Sequence, residues 1–213
     1  VKEEDLIGDK DLELFHVGKN ISVDFTDVFV SGTAVTSGYF ELNENTKLSE
    51  FLKRLKFSSD IYPYFAVLDQ SSSNGLIKNR YTFSLKDPKS MSNLTITKNS
   101  VLRFFSRNEI ESGTALTELA SSKEYVQLKL PERDAIQIPI SGKTSPKDLY
   151  AYFSTFEGDI DKANVFVVTN DDIYKNVFTK EFDSRNIISI SFPPIKQNII
   201  SVAISGEVKN PGT

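Results

Sequence analysis

The sequence predicts an α+β fold of two similar units, each a mixed sheet wrapped around one helix, and three observations carry that expectation. An amphipathic helical stripe occurs twice: Leu48, Phe51, Leu52 and Leu55 fall at i, i+3, i+4 and i+7, and Leu149, Tyr152, Phe153 and Phe156 fall in the same register. The next apolar strand starts at a matched offset, at Phe65 after the first stripe and at Val165 after the second. Around each helix the order is hairpin, helix, strand, strand, strand. A hairpin exposes one apolar face, the helix covers it, and the following strand has to return across the sheet.

Residues 1–19 read as a solvated lead-in, because Leu6, Ile7, Leu12, Leu14 and Phe15 break up the acidic run that opens at Glu3. The first unit spans 20–105. Ile21, Val23 and Phe25 alternate with polar residues, Val28 and Val30 follow, and Ser31 to Gly38 makes the loop before Tyr39-Phe40-Glu41-Leu42. Thr46 is expected to cap the helix, whose other face carries Lys47, Glu50, Lys53 and Arg54. Pro63 is expected to break the chain before the buried strand Phe65-Ala66-Val67-Leu68. Ser73-Asn74-Gly75 reads as its turn, Arg80 to Leu85 as its partner, and Val101 to Phe105 as the closing strand.

Residues 106–123 are polar, contain Gly113 and read as a linker, with a short helical turn possible at Ala115, Leu116 and Leu119. The second unit spans 124–196. Val126, Leu128 and Leu130 alternate with polar residues, Pro131 to Asp134 turn, and Ile136, Ile138 and Ile140 return. Ser145 caps a helix with Pro146 at its first position. Val165 to Val168, Asn176 to Phe182 and Ile187 to Phe192 complete the unit as strands. In residues 197–213, Ile200, Val202 and Ile204 alternate and Asn210-Pro211-Gly212 turns, the pattern of an opening hairpin from a truncated third unit. The whole order is that of tandem β-grasp, or ubiquitin-like, domains.

Composition narrows the chemistry. A net charge of −4 without a basic stripe lacks the electrostatic footprint of a nucleic-acid binder. The absence of cysteine removes disulfides, thiol catalysis and Cys-ligated zinc together. The 16 Phe and 8 Tyr favour strands, while the absence of Trp weakens any strong stacking platform for sugars. His16 is the only histidine and reads as a surface or capping residue. Asp171-Asp172 beside Asn170 reads as a hairpin turn rather than an acid/base pair. No Gly-rich phosphate loop, Gly-x-Ser-x-Gly or His-Glu-x-x-His motif occurs, so no catalytic residue, metal ligand or cofactor is expected.

One stretch carries a family resemblance. The run Val202-Ala-Ile-Ser-Gly-Glu-Val-Lys-Asn-Pro-Gly-Thr213 resembles the first hairpin of the soluble-ligand-binding β-grasp (SLBB) domain, repeated in bacterial outer-membrane polysaccharide export proteins. Val28 to Leu55 resembles it more loosely, with Thr33-Ala34-Val35-Thr36-Ser37-Gly38-Tyr39 lacking the proline. The resemblance implies a capsule or exopolysaccharide export component in the periplasm, associated with the outer membrane through parts beyond this stretch. It implies as partners a polysaccharide and either further copies of the chain or other cell-envelope export proteins. A periplasmic β-grasp adaptor that binds protein only is the alternative, and a glycan-acting enzyme the third reading.

A polysaccharide client directs attention to aromatic faces with polar neighbours. Tyr62 and Tyr64, expected between helix and strand, are the candidate stacking pair, and Asp69, Asn74 and Arg80 near the ends of the following hairpin are the candidate polar groups. The competing expectation, and the favoured one, is that the tyrosine pair packs against the end of the helix.

Overall fold

The computed structural model describes residues 27–42, 46–71, 77–115, 125–155 and 159–195. The lead-in, the strand expected at Ile21 to Phe25, His16, the turn at Ser73 to Gly75, Phe156 and the hairpin in 197–213 lie outside the described residues.

The described residues form an α+β structure with two five-stranded mixed sheets. The first contains β1 (Asp27–Ser31), β2 (Gly38–Glu41), β3 (Ile61–Ser71), β4 (Ile77–Phe83) and β5 (Ser100–Ser106), in the spatial order β2-β1-β5-β3-β4. The second contains β6 (Tyr125–Lys129), β7 (Ile136–Pro139), β9 (Phe166–Thr169), β10 (Ile173–Lys175) and β12 (Ile187–Ser191), in the order β7-β6-β12-β9-β10. In both sheets the opening hairpin is antiparallel and its first strand runs parallel to the last strand of the unit. Two short strands, β8 (Lys143–Thr144) and β11 (Phe182–Asp183), pair with each other as a ribbon.

Each opening hairpin is followed by a helix, and local chemistry sets the two apart. The second, α4 (Pro146–Phe153), has the expected cap, with the Ser145 hydroxyl accepting from the Asp148 N–H and proline in the first turn. The first, α1 (Leu48–Phe51), is a single turn that tightens into a 3₁₀ turn over Leu52–Arg54. Its N-cap is Lys47 rather than Thr46, and no side chain caps it. Instead, Leu48 N–H donates to the Leu94 carbonyl at 2.9 Å, so a distant backbone segment satisfies a donor at the helix start. Two further short helices, α2 (Pro88–Met91) and α3 (Arg107–Glu111), follow β4 and β5.

The expected break at Pro63 is not there. The strand β3 runs through the proline, and its register on β5 shifts between Ile61 and Ala66, which accommodates a residue without an N–H. The Pro63 carbonyl still accepts from Leu85 N–H at 2.8 Å. The strand expected at Asn176 to Phe182 is also displaced: β10 ends at Lys175, and Asn176 has a φ of 57° that takes it out of extended conformation. Asp171-Asp172 is the hairpin turn the sequence suggests, with Thr169 Oγ1 accepting from the Asp172 N–H at 3.1 Å.

Among the described residues, two apolar cores result. Val28, Val30, Leu48, Phe51, Leu68, Leu102 and Phe104 fill the space between the first sheet and its helix. The second core is continuous across both units: Tyr62, Phe65, Val67 and Phe105 from the other face of the first sheet join Val126, Leu128, Leu149 and Phe153. The strand β3 is therefore buried on both faces, which explains its near-continuous apolar run from Phe65 to Leu68. The expected linker contributes too. Ile110 of α3 and Ala115 are buried in the shared core.

Polar contacts seal the junction. Tyr62 Oη donates to the Pro139 carbonyl at 2.8 Å, Tyr64 Oη to the Asp148 carbonyl at 2.9 Å, and Tyr152 Oη to the Ile61 carbonyl at 3.0 Å. Ser141 N–H donates to the Tyr64 carbonyl at 2.9 Å, so the Ser141-Gly142 pair belongs to the junction. Gly142 has a φ of +73°, and a Cβ there would stand 2.5 Å from Asp87 Oδ2, the same atom that accepts the Lys143 N–H at 2.9 Å. Arg107 closes the far side, donating to the Phe153 carbonyl at 3.0 Å with its guanidinium 5.6 Å from the centre of the Tyr152 ring.

Candidate functional site

The residues that the sequence grouped as a sugar site do not meet as one. Tyr62 is wholly buried and Tyr64 is 4% exposed, with ring centroids 5.5 Å apart and both rings against Tyr152. The favoured expectation of packing holds over that of stacking, with the second unit, through Pro139 and Asp148, covering the rings. Burial raises the phenol pKa of both tyrosines, with neighbouring Tyr152 adding to the effect. Burial likewise pushes Tyr152 up to about 12, with Arg107 opposing and Asp60 and Glu111 reinforcing the shift. Asn74 lies outside the described residues.

Asp69 and Arg80 do come together. They are cross-strand partners on β3 and β4, and the guanidinium grips both carboxylate oxygens at 2.6 and 2.9 Å. Asp69 is only 1% exposed, so Arg80 serves first as the counter-ion of a buried carboxylate.

The register places this pair on a face that the second unit leaves partly uncovered. Asp69 opposes Val101, Val101 opposes Phe29, and Phe29 opposes Tyr39, so all lie on one side of the first sheet. Tyr39 is 67% exposed and its ring centroid is 4.9 Å from that of Phe29. Beside this aromatic pair lies a groove of about 520 Å³ at the end of β1 and β5, lined by Phe29, Ser31, Thr33, Ser37, Arg103 and Glu109 among others. Its lining holds a ring face, a guanidinium, a carboxylate and three hydroxyls, which donate to the Leu102 carbonyl, to Glu109 and to the Gly32 carbonyl and keep only lone pairs for a ligand.

Local structure builds each wall. At Gly32, with a φ of +135°, a Cβ would come within 2.1 Å of the Phe104 carbonyl oxygen, so only glycine lets the β1–β2 loop approach β5. Glu109 is fixed by a capping box at the start of α3, its Oε2 accepting from the Ser106 N–H and from the Thr33 hydroxyl at 2.7 Å each. Partial burial pushes the Glu109 carboxyl up, but the Ser106 N–H and the Thr33 and Ser106 hydroxyls outweigh it and hold the pKa below its ordinary value. Glu109 is therefore an ionised acceptor at neutral pH.

Sequence reasoning missed this groove, although one signal was present. Along Val28-Phe29-Val30 the inward valines leave Phe29 pointing outward, opposite another aromatic at position 39 once the hairpin is registered. Among the described residues, no group of three or more His, Asp or Glu is placed to hold a metal, and no helix is long and apolar enough to cross a membrane. No protein-family model and no curated protein sequence matches this chain.

Proposed function

We propose that the chain is a polysaccharide-export component of the bacterial cell envelope, built from tandem β-grasp domains of the soluble-ligand-binding type, and that the groove at Phe29 and Arg103, with the Tyr39 ring beside it, contacts the polymer. The common strand order of the two sheets, with first and last strands parallel and one helix after each hairpin, supports the tandem assignment. The observation that carries the ligand reading is the exposed Tyr39 ring beside a groove of hydroxyls, a guanidinium and an ionised carboxylate. Sugars present apolar C–H faces and many hydroxyls, and such a surface matches both. Export of this kind needs no bond-making residue; it needs rigid modules that offer a polar, weakly binding surface.

A second reading, an adaptor that holds only protein, draws support from the exposed Ile173 and Ile188 on the second sheet. The two readings separate in one titration. Oligosaccharides added up to about 5 mM, the range of a weak single-module site, are expected to shift the backbone NMR signals of Phe29, Tyr39 and Arg103 and to leave those of Tyr62 and Tyr64 in place. Tyr39→Ala should abolish the shifts. A spectrum that does not move at that concentration contradicts the polysaccharide reading and leaves the adaptor.

A further inference from the structure

In the first unit, the chain that follows the last strand helps to cover the outer face of the sheet, the face turned away from the helix α1. Phe65 and Val67 of β3 and Phe105 of β5 point into the core shared with the second unit, and Ile110 and Ala115, from the segment after β5, are buried there with them. The second sheet has the same strand order, and Phe166 and Val168 of β9 stand 17 and 19 residues after Leu149, as Phe65 and Val67 stand after Leu48. Val167 between them is buried in the core, so Phe166 and Val168 point to the opposite, outer face, where both are only half-buried.

Register extends this face into an apolar patch. Val168 opposes Ile173 on the edge strand β10 and Ser189 on β12, and Ile188 falls at the register shift between Ile187 and Ser189. Ile173 is 60% exposed and Ile188 48% exposed, so the second sheet presents to water the positions that the first sheet buries. The chain leaves the described part of the second unit beside this patch. Pro193 and Pro194 wall a cleft together with Phe166 and Ser191, and Ile195 is tied down by its N–H, which donates to the Asp159 carbonyl at 3.1 Å. An extended chain covers about 3.3 Å per residue, which lets the five residues from Ile195 to Ile200 reach about 17 Å. From Phe166 to Val168 is only about 7 Å, and from β9 to β10 about 5 Å.

We propose that the outer face of the second sheet is a docking surface for residues 197–213 of the same chain, with Ile200, Val202 and Ile204 laid against Val168, Ile173 and Ile188. Alternation puts those three apolar side chains on one side of an extended stretch, which matches an apolar patch on a sheet face. The contact repeats the one that Ile110 and Ala115 make in the first unit, where the segment after the last strand also turns back over its own sheet. It stands independently of the polysaccharide reading, and it takes up the exposed isoleucines on which the adaptor reading leans.

The test is methyl NMR of the full chain and of two variants made in it. Val202→Asp combined with Ile204→Asp should shift the methyl signals of Val168, Ile173 and Ile188 and leave those of Val28 and Leu102, in the first core, in place. Ile173→Asp, at an exposed edge position that the fold tolerates, should in turn shift the signals of Val202 and Ile204. The positions of all these signals should hold across about a hundredfold dilution, because a contact within one chain does not depend on protein concentration. Val168, Ile173 and Ile188 signals that ignore the double variant, or Val202 and Ile204 signals that ignore Ile173→Asp, overturn the docking. Shifts that appear only at high concentration, with a dimer mass by light scattering, overturn the assignment within one chain and give the face to a second copy.

Discussion

Replacing Tyr62 by alanine separates a ring that holds the protein together from one that meets a sugar. The Tyr62 side chain has no solvent exposure, lies 5.6 Å from the Tyr152 centroid and 5.7 Å from that of Phe153, and donates its hydroxyl to the Pro139 carbonyl at 2.8 Å. Truncating a buried aromatic ring costs about 3–5 kcal/mol in lost burial and cavity formation, against a total stability of about 5–15 kcal/mol for a typical domain. Tyr62→Phe removes only the hydroxyl and should cost about 1 kcal/mol, the net value of one hydrogen bond. Urea unfolding followed by circular dichroism measures both. Because the ring belongs to the core shared by both units, Tyr62→Ala should move a single cooperative transition rather than split off one unit. A loss below about 1 kcal/mol, the scale of exposed positions, would refute the buried junction.

Other outcomes follow from the same contacts. Tyr39→Ala, at an exposed position, should change stability by no more than about 0.5 kcal/mol, so loss of oligosaccharide shifts in that variant reports binding alone. Gly32→Ala forces a Cβ against the Phe104 carbonyl and should cost about 1–3 kcal/mol by overpacking and strain, read as a lower urea midpoint with the groove signals displaced. Arg80→Ala leaves the Asp69 carboxylate buried without its cation and should cost about 3 kcal/mol, a loss partly restored by adding Asp69→Ala. The raised phenol of Tyr152 makes stability alkali-sensitive. An unfolded tyrosine ionises near its ordinary value of about 10, whereas Tyr152 holds its proton to about 12 in the folded chain. The unfolded state thus binds fewer protons between those values, so the urea midpoint should be fully present below the lower value and fall as pH rises through the upper one. A midpoint unchanged across that window contradicts the buried assignment.

The parts of the fold legible in the sequence are those set by local periodicity. The Ser145 cap, the stripe of Leu149 and Phe153, and the alternation in β6 all involve residues a few positions apart, and each appears where expected. The missed features depend on what arrives from far along the chain. Pro63 stays within β3 because the register shift on β5 absorbs it, and the cover over Tyr62 and Tyr64, expected from the end of the nearby helix, comes instead from α4 and the Pro139 carbonyl. The site followed the same division. Asp69 and Arg80, singled out as polar groups of one hairpin, pair with each other as an ion pair outside the groove, while the groove needed the β1–β5 pairing of residues some seventy positions apart.

The most direct test of the central claim is made in the source organism. The gene is deleted and restored either intact or with Tyr39→Ala and Arg103→Ala combined, and polysaccharide is measured at the cell surface and inside the cell. An export role predicts that deletion lowers the surface polymer and raises the retained fraction, that the intact gene restores both, and that the double variant, present at normal protein level, does not. Surface polysaccharide unchanged by the deletion would contradict it.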